Sequence, residues 1–256
     1  MKRYQLIIEY DGSHYGGWQR QANSLTVQQV VEEALSTVVG VAVTLFSSGR
    51  TDAGVHAQGM SAHFDSPREL PERAYREGVN RLLPDDVVVR EVHAVADDFH
   101  ARFGAQGKWY RYQLYVGAVR SALHRQRSWH LRKPLDLDLM RRAAQLLIGE
   151  HDFEAFRVSS CNATTSVRRI DLLRVSTEGD FVIIDVVGSG FLRYMVRRIT
   201  GTLVEVATGR RTLQSVEQML NRPKEFSAGV TAPAFGLILM RVRYPGKDLE
   251  FWENFP

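Results

Sequence analysis

The stretch Val41-Ala42-Val43-Thr44-Leu45-Phe46-Ser47-Ser48-Gly49-Arg50-Thr51-Asp52-Ala53-Gly54-Val55-His56-Ala57-Gln58-Gly59-Met60-Ser61-Ala62-His63-Phe64 joins an apolar run, a polar loop and a half-alternating run. It reads as strand, rigid turn, strand. Asp52 stands between Gly49 and Gly54, with a guanidinium two residues before it (Arg50) and an imidazole four after it (His56). Such a carboxylate is displayed on a turn rather than buried in a core. Glycines permit backbone angles that other residues resist and allow a ligand to approach closely. If the loop is locally extended, residues two apart point the same way, so Arg50 can sit beside Asp52 and hold it ionised for work as nucleophile or base. The spacing equally fits an Asx-turn with a surface arginine as its partner, and by itself it leaves both readings open.

Upstream of this stretch, Tyr4 to Tyr10 is apolar, aromatic and β-branched and reads as a strand closed by Asp11-Gly12. The segment Ser13-His14-Tyr15-Gly16-Gly17-Trp18-Gln19-Arg20-Gln21 mixes aromatics, amides and glycine, suited either to stacking on bases or to a surface loop with one packed Trp. Thr26 and Gln29 make a capping box ahead of Val27, Val30, Val31, Ala34, Leu35 and Val38 at helical spacing, which predicts an amphipathic helix. Downstream, Pro71 to Leu82 reads as a helix with Pro71 in its first turn, and Val87 to Val92 as a strand. Strand, helix, strand, strand, helix, strand is the pattern of a ferredoxin-like α+β unit, expected to occupy 1–104.

The order then repeats. Arg111-Tyr112-Gln113-Leu114 restates Arg3-Tyr4-Gln5-Leu6 within a strand that begins at Lys108. A helix over Leu135 to Leu147, strands over Val167 to Val175 and Phe181 to Val187, helices over Phe191 to Ala207 and Thr212 to Leu220, and a last strand over Leu237 to Tyr244 follow. The expected architecture is α+β: two ferredoxin-like halves, 1–104 and 105–245, with a joint, mainly antiparallel sheet and a cleft between them, followed by a tail over 246–256.

Composition narrows the class. A hydrophobic share of 44% and a charged share of 24% are those of a soluble globular protein with a real core. The N-terminus runs straight into strand-like sequence without a signal-peptide core, and no apolar run is long enough to span a bilayer, so a cytoplasmic protein is expected. The single cysteine, Cys161, makes no internal disulfide and reads as an inert small residue. No Cys/His cluster has zinc-ligand spacing, so no metal is expected.

Of the 33 basic residues 28 are arginines, and the sequence pI is about 9.3. The planar guanidinium matches phosphate and stacks on bases, which suits a nucleic-acid partner; a GC-rich genome or a hot habitat would give the same bias. Two places concentrate it. Arg193 and Arg197 stand one turn apart on the expected helix from Phe191, fit either to bind phosphate, to pair with Asp52 or to form a solvated basic face. The stretch Leu123 to Arg132, with His124, Arg125, Arg127, Trp129 and His130, is a candidate RNA contact through phosphate and stacking.

The block Gly49-Arg50-Thr51-Asp52-Ala53-Gly54-Val55-His56-Ala57 resembles the signature of the TruA family of tRNA pseudouridine synthases. Tyr10-Asp11-Gly12, Gly17-Trp18-Gln19, Tyr110-Arg111-Tyr112, Phe191-Leu192-Arg193-Tyr194-Met195-Val196-Arg197 and Ala232-Pro233-Ala234-Phe235-Gly236-Leu237-Ile238-Leu239 resemble its other motifs, in the family's order. The resemblance implies the pseudouridine synthase fold and isomerisation of uridines 38, 39 and 40 in the tRNA anticodon stem-loop. The N1–C1′ bond breaks and the uracil rejoins through C5, without cofactor or metal. It implies Asp52 as the catalytic carboxylate, Tyr110 stacked on the flipped uracil and serving as a later base, and Arg197 paired with Asp52. It gives Arg50 the space vacated by the flipped nucleotide and Leu237 or Leu239 an apolar wall, with His56 also in the substrate-binding set. A homodimer, one tRNA contacting both copies, is implied as well. Two other classes stand beside this reading: a tRNA-binding module without catalysis, and an aspartate hydrolase. The second would want facing carboxylates or a metal that this loop does not offer.

Overall fold

The computed structural model describes residues 1–246; the tail expected over 246–256 lies, from residue 247 on, outside the described residues. The chain is a mixed α+β protein with mostly antiparallel strand pairs and, among the described residues, five α-helices. None of those helices is long and apolar enough to cross a membrane. Two compact units make up the chain: Met1–Lys108 with the chain from Leu239 onward, and Trp109–Ile238.

The first unit runs β1 (Lys2–Tyr10), α1 (Val27–Val39), β2 (Phe46–Ser47), β3 (His56–Ser66), α2 (Glu72–Asn80) and β4 (Val87–Val95). β1 is central, antiparallel to β3 on one side (Tyr4 opposite Phe64) and to β4 on the other (Leu6 opposite Val92). With β2 on the outer edge of β3, the order β4-β1-β3-β2 is that of the expected ferredoxin-like unit. Tyr4, Leu6 and Ile8 of β1 are buried, and the Tyr4 ring packs at 5.6 Å on Phe64 and 4.7 Å on Tyr75 of α2. Helix α2 is thereby held on the sheet by aromatic burial.

Two local expectations change here. Thr26 caps α1, its hydroxyl accepting the Gln29 N–H at 3.4 Å, but the Gln29 amide does not reach back; it donates to Glu33 at 3.0 Å, one turn on. Val41 to Leu45 is not a strand. The Val43 N–H donates to the Ser36 hydroxyl (2.9 Å) and the Leu45 N–H to the buried Glu32 carboxylate (2.9 Å), so side chains of α1 take the donors a ladder would use. Only Phe46–Ser47 pairs, opposite His63 and Ala62.

The second unit runs from β5 (Gly107–Val116) through β6 (Trp129–Leu131), α3 (Leu137–Leu146), β7 (Gly149–Asp152), β8 (Val167–Glu178), β9 (Phe181–Gly188), α4 (Met195–Ala207) and α5 (Leu213–Asn221). Its strand order is β5-β9-β8-β7, with β6 parallel to β5. Counting only the long strands β5, β8 and β9, the first lies next to the third and the third next to the second, with α3 between the first and second, which repeats β1-β3-β2. That is the topological form of the four-residue repeat in the sequence. Asp185 is fully buried and accepts from Trp109 Nε1 (2.8 Å), Arg111 Nε (2.9 Å) and Arg174 (3.4 Å), a paired charge rather than an orphan.

The last strand, β10 (Leu237–Arg243), lies beside β3 from Leu239 on. A Cβ on Gly59 of β3 would stand 2.5 Å from the Met240 carbonyl oxygen, so this edge is a close backbone approach.

Candidate active site

The Asp52 loop is held from beneath by the segment that follows β1. The Trp18 N–H donates to the Thr51 carbonyl oxygen at 3.1 Å, and Thr51 Oγ1, buried, is 2.8 Å from the Tyr10 hydroxyl. Gly17 has φ 103°, and a side chain there would stand 2.7 Å from the Thr51 oxygen and 3.2 Å from the Ala53 nitrogen. Only glycine fits, by angle and by space. The Val55 N–H donates to the Asp52 carbonyl oxygen at 3.1 Å, closing a turn in which Gly54 takes φ 77°. On the other side the Ser48 N–H joins the Ser61 carbonyl at 2.8 Å. The loop is thus pinned before and after Asp52, and the Asp52 side chain is half-buried.

His56 is buried below the loop. Its Nδ1 lies 3.1 Å from the Gly12 N–H and 3.0 Å from Asp11 Oδ1, contacts that need a lone pair and a proton respectively. Asp11 Oδ1 already accepts from the Ser13 N–H (3.0 Å) and hydroxyl (2.6 Å), so we assign the Gly12 bond. The imidazole joins the start of β3 to the Asp11-Gly12 turn. Arg50 is exposed, and among the described residues no ion pair holds it. Leu239, also in the first unit, is buried.

In the second unit Tyr110 is a buried residue of β5 whose ring meets Phe191 edge-on, 5.3 Å between centroids. Phe191 to Tyr194 is not helical as expected, because Tyr194 is the one described non-glycine residue with positive φ, 63°. Helix α4 starts only at Met195. The Arg193 and Arg197 guanidiniums each lie 4.9 Å from the Tyr194 ring, so they meet on one aromatic ring rather than stacking as successive turns of a helix. Strain of about 1–3 kcal/mol at such a residue persists only where its surroundings over-determine it, as two cations on its ring help to do here.

Arg197 Nε donates to the Ala232 carbonyl (2.7 Å) and the Ala232 N–H returns to the Arg197 carbonyl (3.1 Å). Gly229 N–H to Thr202 (2.8 Å) and Val230 N–H to Glu205 (3.0 Å) extend the lacing of this segment along α4. The buried Tyr112 completes it: its hydroxyl donates to the Pro233 carbonyl at 2.8 Å and its ring lies against Gly236, fixing the turn into buried Leu237. In the basic stretch, Arg125, Arg127 and Arg132 are exposed, while His130 bonds the Gly117 carbonyl at 2.7 Å.

Sequence reasoning named Asp52 and the motifs around it but did not find that Tyr10, Trp18 and Tyr112 are supports. The signal lay in the placement of Tyr10-Asp11-Gly12 and Gly17-Trp18-Gln19 at the end of β1. Among the described residues no group of three or more His, Cys, Asp or Glu side chains is gathered so as to hold a metal ion.

The sequence pattern of a family described as tRNA pseudouridine synthase matches residues 6–104 and 143–245, which takes in Asp52, Arg197, Leu237 and Leu239 and leaves out Tyr110. A tRNA pseudouridine synthase A of Syntrophotalea carbinolica is 56% identical over 248 residues, 97% of this chain and 98% of that protein. Those of Pelobacter propionicus and Geobacter sulfurreducens are 51% and 50% identical, each over 95% of this chain and 100% of the relative. With matches of this extent in both units, the chain belongs to the tRNA pseudouridine synthase family.

Proposed function

We propose that this protein isomerises uridines 38, 39 and 40 of the tRNA anticodon stem-loop to pseudouridine, with Asp52 as the catalytic carboxylate. The observation that carries the reading is the loop itself: a half-buried aspartate whose backbone is tied on both sides, in a chain of this family. A carboxylate so held reaches a reacting atom without first being ordered, which is where preorganisation lowers a barrier.

In the reaction the N1–C1′ bond breaks, the uracil turns, and a C5–C1′ bond forms. C5 then gives up its proton and N1 gains one, so substrate and product are isomers and nothing external is consumed. The reading gives Tyr110 the stacking on the flipped uracil and the removal of the C5 proton, and Arg197 the counter-charge of Asp52. Arg50, exposed and without an ion-pair partner among the described residues, suits the space left by the flipped nucleotide. Leu237 or Leu239 gives the base an apolar wall. His56 belongs to the same set through its bond to Gly12, which holds the loop from below. The protein would work in the cytoplasm as a homodimer, one tRNA lying across both copies.

Incubation with a tRNA transcript followed by carbodiimide mapping tests the reading. Pseudouridine at 38 to 40 is the expected result, and unmodified uridine with tRNA bound would make the protein a binder. Sedimentation of the pure protein as a monomer would remove the homodimer.

A further inference from the structure

Lys108, the second residue of β5, belongs to the first unit, and its ammonium rests on Gly49 of the Asp52 loop so closely that a Cβ at Gly49 would meet Nζ. The side chain is partly buried, yet among the described residues it has no hydrogen bond and no ion pair. Three other partly buried cations each have an acid: Arg3 with Asp65 at 2.7 Å, Arg111 with Asp185 at 2.9 Å and Arg211 with Glu205 at 2.9 Å. Burial, and then the charge of Arg102, lower the Lys108 ammonium to about 8. Holding a half-buried cation near a second cation without an acid costs free energy, and an anion arriving with a ligand returns it. Phe103 is 79% exposed, with the Arg102 guanidinium 5.7 Å from its ring centre and the His100 ring 4.4 Å away.

We propose that Lys108 and Arg102, at the Gly49 side of the Asp52 loop, form a subsite for a backbone phosphodiester of the RNA. The assignment rests on the reading of this chain as an enzyme acting on tRNA and adds to it a contact that fixes the strand beside the catalytic carboxylate. A side chain at Gly49 would press on the ammonium, which sits at the free end of its chain and can shift.

The test is tRNA affinity, by fluorescence anisotropy across a salt series, for the wild type and for Lys108→Met, Lys108→Arg and Gly49→Ala. Loss of one phosphate contact should weaken binding by about 3- to 10-fold and flatten the log–log salt slope by about 0.7–0.9 in Lys108→Met, with Lys108→Arg recovering most of both. Gly49→Ala should shift the ammonium and weaken the same contact by a smaller factor with the lysine still present, and Lys108→Arg together with Gly49→Ala carries the test if circular dichroism shows that Lys108→Met does not fold. Wild-type affinity and slope in these variants would overturn the proposal. Inorganic phosphate that binds the wild type but not Lys108→Met, without weakening tRNA binding, would overturn the backbone assignment in favour of free phosphate. Wild-type conversion of uridine is scored separately. Conversion with an unchanged slope sinks the subsite alone, and a lost slope without any conversion sinks the enzymatic reading while the phosphodiester subsite stands.

Discussion

The backbone N–H of Trp18 donates to the carbonyl oxygen of Thr51 at 3.1 Å, so the residue next to the candidate catalytic aspartate is positioned by a segment more than thirty positions earlier in the chain. Gly17 makes this approach possible. Gly17→Ala should destabilise the protein by about 1–3 kcal/mol, since both the backbone angle and the space are wrong for a side chain. It should lower kcat more than it raises KM, because the displaced group is Asp52. Urea unfolding and steady-state kinetics check both effects; unchanged kcat would mean the loop is not held from this side.

Asp52→Asn and Asp52→Ala should abolish pseudouridine formation while leaving tRNA binding within a few-fold, since few phosphate contacts are lost. Residual turnover above about one per cent of wild type, measured by tritium release from C5-labelled tRNA, would remove Asp52 from the reaction.

Tyr110→Phe keeps the buried ring and its edge-on contact with Phe191 and loses only the hydroxyl. Binding should hold while isomerisation falls by about 10²-fold or more, the scale of a lost general base. Wild-type single-turnover rates would exclude the proton transfer assigned to it.

Thr51→Val and Tyr10→Phe each break a buried 2.8 Å hydroxyl pair and should each cost about 1–3 kcal/mol. The double variant should cost less than the sum of the two, because each single change already breaks the same bond. Strict additivity in thermal or chemical unfolding would show that the pair contributes nothing of its own.

His63 is buried in the first unit, its Nδ1 accepting the Ala101 N–H at 3.1 Å. Burial first, then the charges of His100 and Arg3, lower it from the ordinary 6.5 to about 4; Asp65 and a backbone bond at Phe46 oppose this more weakly. Between those values the unfolded chain binds the extra proton, so stability is fully present above about pH 6.5 and is lost as pH falls toward 4. The loss is at most about 3.5 kcal/mol at roughly 1.4 kcal/mol per unit. Unfolding free energies from pH 7 to 4 should slope this way in the wild type and less in His63→Gln; identical slopes would place the effect elsewhere.

The sequence patterns that proved readable were those in which one residue type has one physical use. The apolar, aromatic and β-branched run of β1, the Thr26 cap and the glycines around Asp52 belong here, and they mark a strand, a helix start and the loop. Where a polar side chain diverts the backbone, the pattern misled. Val41 to Leu45 has strand-like residues, but Glu32 and Ser36 take its N–H groups. Phe191 to Tyr194 has helical spacing, but Tyr194 lies in the left-handed region. The supports of the site escaped notice for a similar reason: Trp18 acts on Thr51 through its backbone, and Tyr112 acts through a hydroxyl on a carbonyl 121 residues away. Neither leaves a spacing to detect.

The place of β10 beside β3 bears on how the protein is made. During translation β3 emerges early, but the strand that covers its edge is synthesised only after the whole of Trp109–Ile238. The first unit, which carries Asp52, is discontinuous in sequence and keeps part of a sheet edge uncovered until that strand is made. The half bearing the candidate catalytic carboxylate, although first to be synthesised, is thus completed only by residues made after the whole of the second unit.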